Sequence, residues 1–370
     1  MKTLLSIFSL ILITSCNSNK STNTKESLAF YVGTYTSKNS KGIYKYALNT
    51  DGVFTKIGLV AKTENPSFLS FSSDKKHLIA ANEIDLEGSE SITCFSIKND
   101  SLILKNSIPS GGTNPCFVTT NSDNYVLATN YSSGTVALAS LQNDGLLTKV
   151  LDIQQHDGNG TTSRQEAPHA HSAWFEPNSN TIISVDLGTN QLWFSKIDSN
   201  TKALNPVAPF KLDMAKGAGP RHLTFHPNNK WIYVLNELNN TVSRIEKSPD
   251  TTYHVKESIS TLPENFSGNN TSADIHVSLD GKFLYTSNRG HNSIAIFKID
   301  STKGSLNPIG HESTKGLDPR NFSLTPNNNY IVVANQNSNN LVAFKRNKNE
   351  GTLMFTDEIN APTPVCVLFE

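Results

Sequence analysis

Short stretches of alternating apolar and polar residues recur along the chain, separated by clusters of Pro, Asn, Asp, Ser and Gly. Period-two alternation predicts strands with one buried face. The stretch Gly219 to Glu237, GPRHLTFHPNNKWIYVLNE, alternates, breaks at HPNNK and alternates again, which reads as a hairpin. Similar hairpins lie at 65–83, 114–131, 167–187, 272–289 and 318–336. Their anchor residues, with one more near the C-terminus, are Pro66, Pro115, Pro168, Pro220, Ala273, Pro319 and Pro364, spaced by 49, 53, 52, 53, 46 and 45 residues. Each hairpin continues into a third strand, such as NSIAIFKID, and a weaker fourth, such as the one after KGSLNPI. Four strands per repeat of this length predict a propeller blade, and no 3.6-residue periodicity predicts a long helix.

The ends complete the count. TPVCVLFE (363–370) is a first strand with nothing after it, and 28–63 supplies second, third and fourth strands with no first. Together they make a seventh blade, closing the ring and pairing edges that an open sheet would expose. The fold class is therefore all-β: one seven-bladed propeller of four-stranded blades over 28–370, its last blade shared by the two termini. Two separate β-sandwiches are the competing architecture; a repeat unbroken through the middle of the chain argues against them.

The N-terminus has another pattern. Lys2 precedes an apolar run, Leu4 to Ile13, too short to cross a bilayer, which ends in ITSC. This resembles a bacterial lipoprotein signal. It implies a leader over 1–15, acylation of Cys16, a polar tether over 16–27 and a lipid-anchored protein of the cell envelope, on its periplasmic or outer face. A plain secretory leader is the alternative.

Formal net charge is zero, with 32 basic and 32 acidic residues. No basic stripe points to nucleic acid, and no charge run points to a membrane surface. Cys94, Cys116 and Cys366 show no CxxC spacing. They read as small buried strand residues, with room for one disulfide and no zinc framework.

Candidate chemistry follows from the hairpins. In an antiparallel pair the start of one strand lies beside the end of the next. The residue after each anchor and the residue after each second strand therefore share one end of the central channel. The first set is Ser67, Cys116, His169, Arg221, Asp274, Arg320 and Val365; the second is Glu83, Tyr131, Leu187, Glu237, Arg289 and Gln336. Blades three to six bring ionisable groups, including the pair His169 and His171, and blades one and two look bland. His222, Asn236, Asp274 and Arg320 are candidate substrate contacts. His226 falls on a turn away from this end and is expected to face solvent; His276 fits a packed strand position; Trp174, Trp193 and Trp231 fit the core. His169 and His171 share a strand face, but nothing completes a metal-ligand set, so no metal and no cofactor are expected. The polar loop 152–166, with Arg164, is either a lid or a mobile surface loop.

APHAH, GPRHLTFHP, VLNE and SADIHVSLDGKFLYTSNRGHNSIAIF resemble the lactonase-family seven-bladed propellers, which include propeller-type 6-phosphogluconolactonases and carboxy-cis,cis-muconate lactonising enzymes. The resemblance spans about 28–370. It implies cofactor-free opening or closing of a lactone, with His169 or His171, Arg221, Glu237 and Arg289 as site residues. In this reading Glu237 is the base, His171 a proton shuttle, and Arg221 with Arg289 stabilise developing negative charge. A small lactone or sugar acid is the expected partner, and a closed ring is expected to be monomeric. A non-catalytic propeller that binds an anion or a protein at the same mouth remains the alternative.

Overall fold

The computed structural model describes residues 27–86 and 88–370. The expected leader, the acylation site Cys16 and the tether up to residue 26 lie outside the described residues. Among these residues the regular structure is entirely β: seven four-stranded antiparallel sheets arranged as blades. The ring starts one residue earlier than the pattern suggested, with the strand Ser27–Thr34.

Hairpin turns follow from sequence. HPNNK and TPNNN each place an Asn at positive φ, Asn229 at 59° and Asn328 at 62°. Asn tolerates this left-handed region because its short side chain bonds locally. The flanking strands Pro220–Phe225 and Trp231–Asn236 then pair in register, Thr224 opposite Tyr233.

There is no single central core. Each of the seven interfaces between neighbouring blades carries its own apolar cluster. Between blades three and four, for example, Ile183, Val185 and Phe194 pack on Leu223, Ile232 and Val234. This is how a chain of this length stays one domain: each sheet buries both faces against its neighbours. The ring is closed by antiparallel pairing of Pro364–Phe369 with Ser27–Thr34, including Phe30 opposite Phe369 and Val32 opposite Val367.

The three tryptophans do pack against strands, Trp193 and Trp231 fully and Trp174 partly. All three described cysteines are buried free thiols, so the disulfide that the sequence allowed does not form. His226 corrects another expectation. It is buried, with Nε2 donating to the Gly281 carbonyl at 2.9 Å and Nδ1 accepting from the Asn228 amide. A turn between blades is a contact surface in a propeller, and the next blade covers it.

Candidate active site

Every innermost strand begins with a register slip. Pro220 pairs with Asn236, yet His222 pairs with Leu235, so Arg221 is an extra residue in a β-bulge. The same slip recurs around Ser67, Cys116, His171 and Arg320. In blade five it takes two residues, Ala273 and Asp274. Bulges re-aim side chains, and here they turn a ring of them into one end of the channel. A second ring comes from the ends of the second strands. The amides of Tyr35, Glu83, Tyr131, Leu187, Glu237 and Gln336 each bond the carbonyl just before the neighbouring first strand.

The two rings enclose a polar cavity of about 230 Å³. Its centre is Glu237, only 3% exposed. Oε2 accepts from Arg221 Nη1 at 2.6 Å and lies 3.1 Å from Arg289 Nη2; Oε1 accepts from Arg164 Nη2 at 3.3 Å. Burial opposes ionisation of this carboxyl, but Arg289, Arg221 and Arg164 outweigh it and hold it at about 2. Arg289 is itself pulled down to about 10 by burial, still cationic at neutral pH; among the described residues its Nε has no hydrogen-bond partner, with Asp318 Oδ1 4.0 Å away.

His171 stands behind Arg221, its Nε2 accepting from the same Nη1 that serves Glu237. Burial, then the charge on Arg221, drives its pKa well below the ordinary histidine range, so the imidazole is neutral. His169 is not the bulge residue. The register puts Ala170, not Pro168, opposite Asp186, so the anchor of blade three sits two residues later than the prolines suggested. His169 instead stacks on the Tyr131 ring, centroids 4.5 Å apart, and its Nδ1 donates to the Tyr131 carbonyl at 3.0 Å. It supports the wall and does not line the cavity.

Three candidate substrate contacts also fall away from the mouth. Asn236 turns into its own blade, donating to Thr241 and Ser243, both at 2.9 Å. Asp274 is consumed by structure: it accepts from His222 Nδ1 at 2.9 Å, His276 Nε2 at 3.0 Å and Asn321 Nδ2 at 2.6 Å. Burial disfavours its charge, yet His276 and His222 prevail and keep it ionised. His222 lies deeper in the channel, ringed by Phe68, Phe117 and His171. His276 is half-buried against Phe322. Arg320 does line the cavity, 3.7 Å from Glu83 and over the Tyr35 ring.

Loop 152–166 divides in two. Asp152–Gln155 is the outer strand of blade two. The rest is pinned over the mouth: His156 bonds Asp186 at 2.7 Å and stacks on Trp193, and buried Gln165 donates to the Leu187 carbonyl at 2.8 Å. Arg164, half exposed, reaches from this loop to Tyr131 and Glu237. Among the described residues no cluster of three His, Cys, Asp or Glu could hold a metal ion.

The sequence reading missed Tyr35, Glu83, Tyr131 and Thr271 as members of the site. Glu83 and Tyr131 were in the right place by count, but blades one and two looked bland beside the arginines. Tyr35 belongs to the blade split between the termini, where counting from an anchor skipped it.

Residues 29–369 match the family described as Lactonase, 7-bladed beta-propeller. The chain belongs to this lactonase propeller family. Among its relatives, the 6-phosphogluconolactonase of Bacillus subtilis (strain 168) is 35% identical over 343 residues, 92% of this chain and 97% of that one. The 6-phosphogluconolactonase of Formosa agariphila is 34% identical over 336 residues, 87% of this chain and 94% of that one. The structure of the periplasmic gluconolactonase of Pseudomonas aeruginosa superposes with a TM-score of 0.89 at 27% identity, covering 93% of this chain and 99% of that one. These family members share the ring almost from end to end.

Proposed function

We propose that the chain is a lactonase that hydrolyses a sugar lactone of the gluconolactone or 6-phosphogluconolactone type in the cavity around Glu237. The observation that carries this reading is the composition of that cavity: four arginines, Arg164, Arg221, Arg289 and Arg320, against two carboxylates, Glu83 and Glu237. With His171 neutral, the lining has two more arginines than carboxylates, and with Asp318 standing 4.0 Å from Arg289 Nε a positive excess still remains in a site lined mostly by buried side chains. Such a site complements an oxyanion, a carboxylate product or a phosphate. Relatives named as 6-phosphogluconolactonase and gluconolactonase support the substrate class.

Roles change from the sequence reading. A carboxyl held at about 2 takes up a proton poorly at neutral pH, so Glu237 is a poor base. Its work is to fix three guanidiniums before the substrate arrives. Arg221 and Arg289 keep N–H donors that make no hydrogen bond among the described residues, and they face the charge that develops on the carbonyl oxygen. His171 uses its lone pair to orient Arg221 and is a support, not a shuttle.

The test is hydrolysis of δ-gluconolactone and its 6-phosphate by the purified protein in a pH-stat, corrected for spontaneous opening. A rate above background on either supports the reading; none on either, from folded protein, favours an anion-binding propeller.

An envelope location is proposed on the leader pattern ending at Cys16, and a periplasmic relative supports it. The strand Ser27–Thr34 ends at the cavity, so Ser27 lies at the opposite end of the channel. A tether there would hold the mouth away from the membrane. Labelling with a palmitate analogue, lost in Cys16→Ser, tests the anchor.

A further inference from the structure

We infer that Glu83 is the carboxylate that activates water, with the Tyr35 hydroxyl as its positioning partner. This rests on the lactonase reading above and adds the reacting base that Glu237 does not supply.

Glu83 and Glu237 occupy equivalent positions, each one residue beyond the second strand of its blade, three blades apart, and both line the cavity. Their surroundings differ sharply. Glu237 gives both oxygens to guanidiniums, Arg221 as close as 2.6 Å. Among the described residues the Glu83 carboxylate accepts one hydrogen bond, from the Tyr35 hydroxyl to Oε2 at 2.8 Å. Arg320 stops at 3.7 Å from Oε1, beyond hydrogen-bond reach, and among the described residues Oε1 accepts no hydrogen bond. Two carboxylates in one site with contrasting partners divide the labour: one holds charge in place, the other exchanges protons. The titratable and charged groups around Glu83 are Tyr35, Arg320, Cys116, Arg221 and His222. Burial pushes the Tyr35 phenol up and the Cys116 thiol to about 12, so both stay protonated and Tyr35 remains a donor.

The step balances with water as the only co-reactant. Water oxygen bonds to the lactone carbonyl carbon as one of its protons passes to Glu83. The carbonyl π pair moves onto oxygen, where the guanidiniums meet it. On collapse the C=O re-forms, the bond from carbonyl carbon to ring oxygen breaks, and that oxygen takes the proton back from Glu83. The product is an open-chain hydroxy acid, which releases the proton that a pH-stat records.

The test compares wild type, Glu83→Gln, Glu237→Gln and Tyr35→Phe on both lactones, with thermal unfolding of each. Gln at 83 keeps an acceptor for Tyr35, so the fold should stand while kcat falls by about a hundredfold or more with KM little changed. Tyr35→Phe removes the hydrogen bond that orients Glu83 and should lower kcat by roughly tenfold, with KM and the melting temperature little changed. A folded Glu83→Gln within about threefold of wild type, or a Tyr35→Phe with wild-type kcat, overturns the inference. A wild type with no rate above spontaneous hydrolysis removes the lactonase reading itself and this inference with it.

Discussion

Arg221 Nη1 donates to Glu237 Oε2 at 2.6 Å across the open end of a single hairpin, with both side chains buried. The contact exists because a bulge turns Arg221 inward while the chain beyond Asn236 keeps going past its last pair. Neighbouring blades bring Arg289 and His171 to the same point. A buried charge pair of this kind contributes little net stability, but removing one partner strands the other. Its value lies in fixing where positive charge points.

Arg289→Ala should therefore damage turnover more than folding. Glu237 keeps Arg221 and Arg164, so the carboxylate is not orphaned. Losing one oxyanion-type donor commonly raises a barrier by about 2.7–4 kcal/mol, which is roughly a hundredfold or more in kcat. Steady-state kinetics beside a thermal melt checks this. A variant with wild-type kcat takes Arg289 out of the chemistry.

Acid should unfold the protein through two distinct windows. Glu237 is near 2 in the fold and about 4.3 in an unfolded chain. Its contribution is complete above about 4.3 and disappears as pH falls towards 2, roughly 3 kcal/mol in all. His171 acts earlier. Neutral in the fold and ordinary when unfolded, it favours the unfolded chain once pH drops below about 6.5, and His222 shifts in the same direction through burial. Urea titrations should show stability declining from about pH 6.5 downwards. The first part of that decline should flatten in His171→Gln, and the gap between wild type and Glu237→Gln should shrink only below about pH 4.3.

Much of the ring was legible because strand alternation and turn residues repeat together, so each copy corroborates the next. The bulges were not legible, since an extra residue leaves no mark on a period-two pattern. Blade three shows the cost. APHAH offers Pro168 as an anchor, and only the pairing of Ala170 with Asp186 reveals that His171 is the counterpart of Arg221. The cavity was legible in Arg221, Glu237, Arg289 and Arg320, whose charges stood out. Tyr35 and Glu83 were not, because their meaning depends on a hydrogen bond 48 residues apart in sequence.

Closure of the ring can be tested at Phe30. It is fully buried at the seam between the termini, 4.8 Å from the Phe369 ring, with Tyr46 and Phe54 on its other sides. Phe30→Ala should cost about 3–5 kcal/mol, read as a lower denaturant midpoint. Phe355→Ala is the control. Phe355 lies on an outer strand at 45% exposure, and its loss should be far milder.

The loop over the mouth separates binding from chemistry. Arg164 is the exposed member of the arginine set, 52% accessible, and it is carried by a segment that His156 and Gln165 pin at either side. Its bonds to Tyr131 and Glu237 leave donors free for an anion at the entrance. One charge-assisted hydrogen bond is worth about 1.5–3 kcal/mol, so Arg164→Ala should raise KM roughly tenfold or more with a small change in kcat. If Arg164 meets a phosphate, the loss should be larger for the 6-phosphate than for δ-gluconolactone; equal losses would mean that it meets the lactone or its carboxylate product. Gln165→Ala frees the loop without touching the charge, so it should raise KM for both substrates alike. An unchanged KM in both variants would leave the loop as a cover with no part in capture.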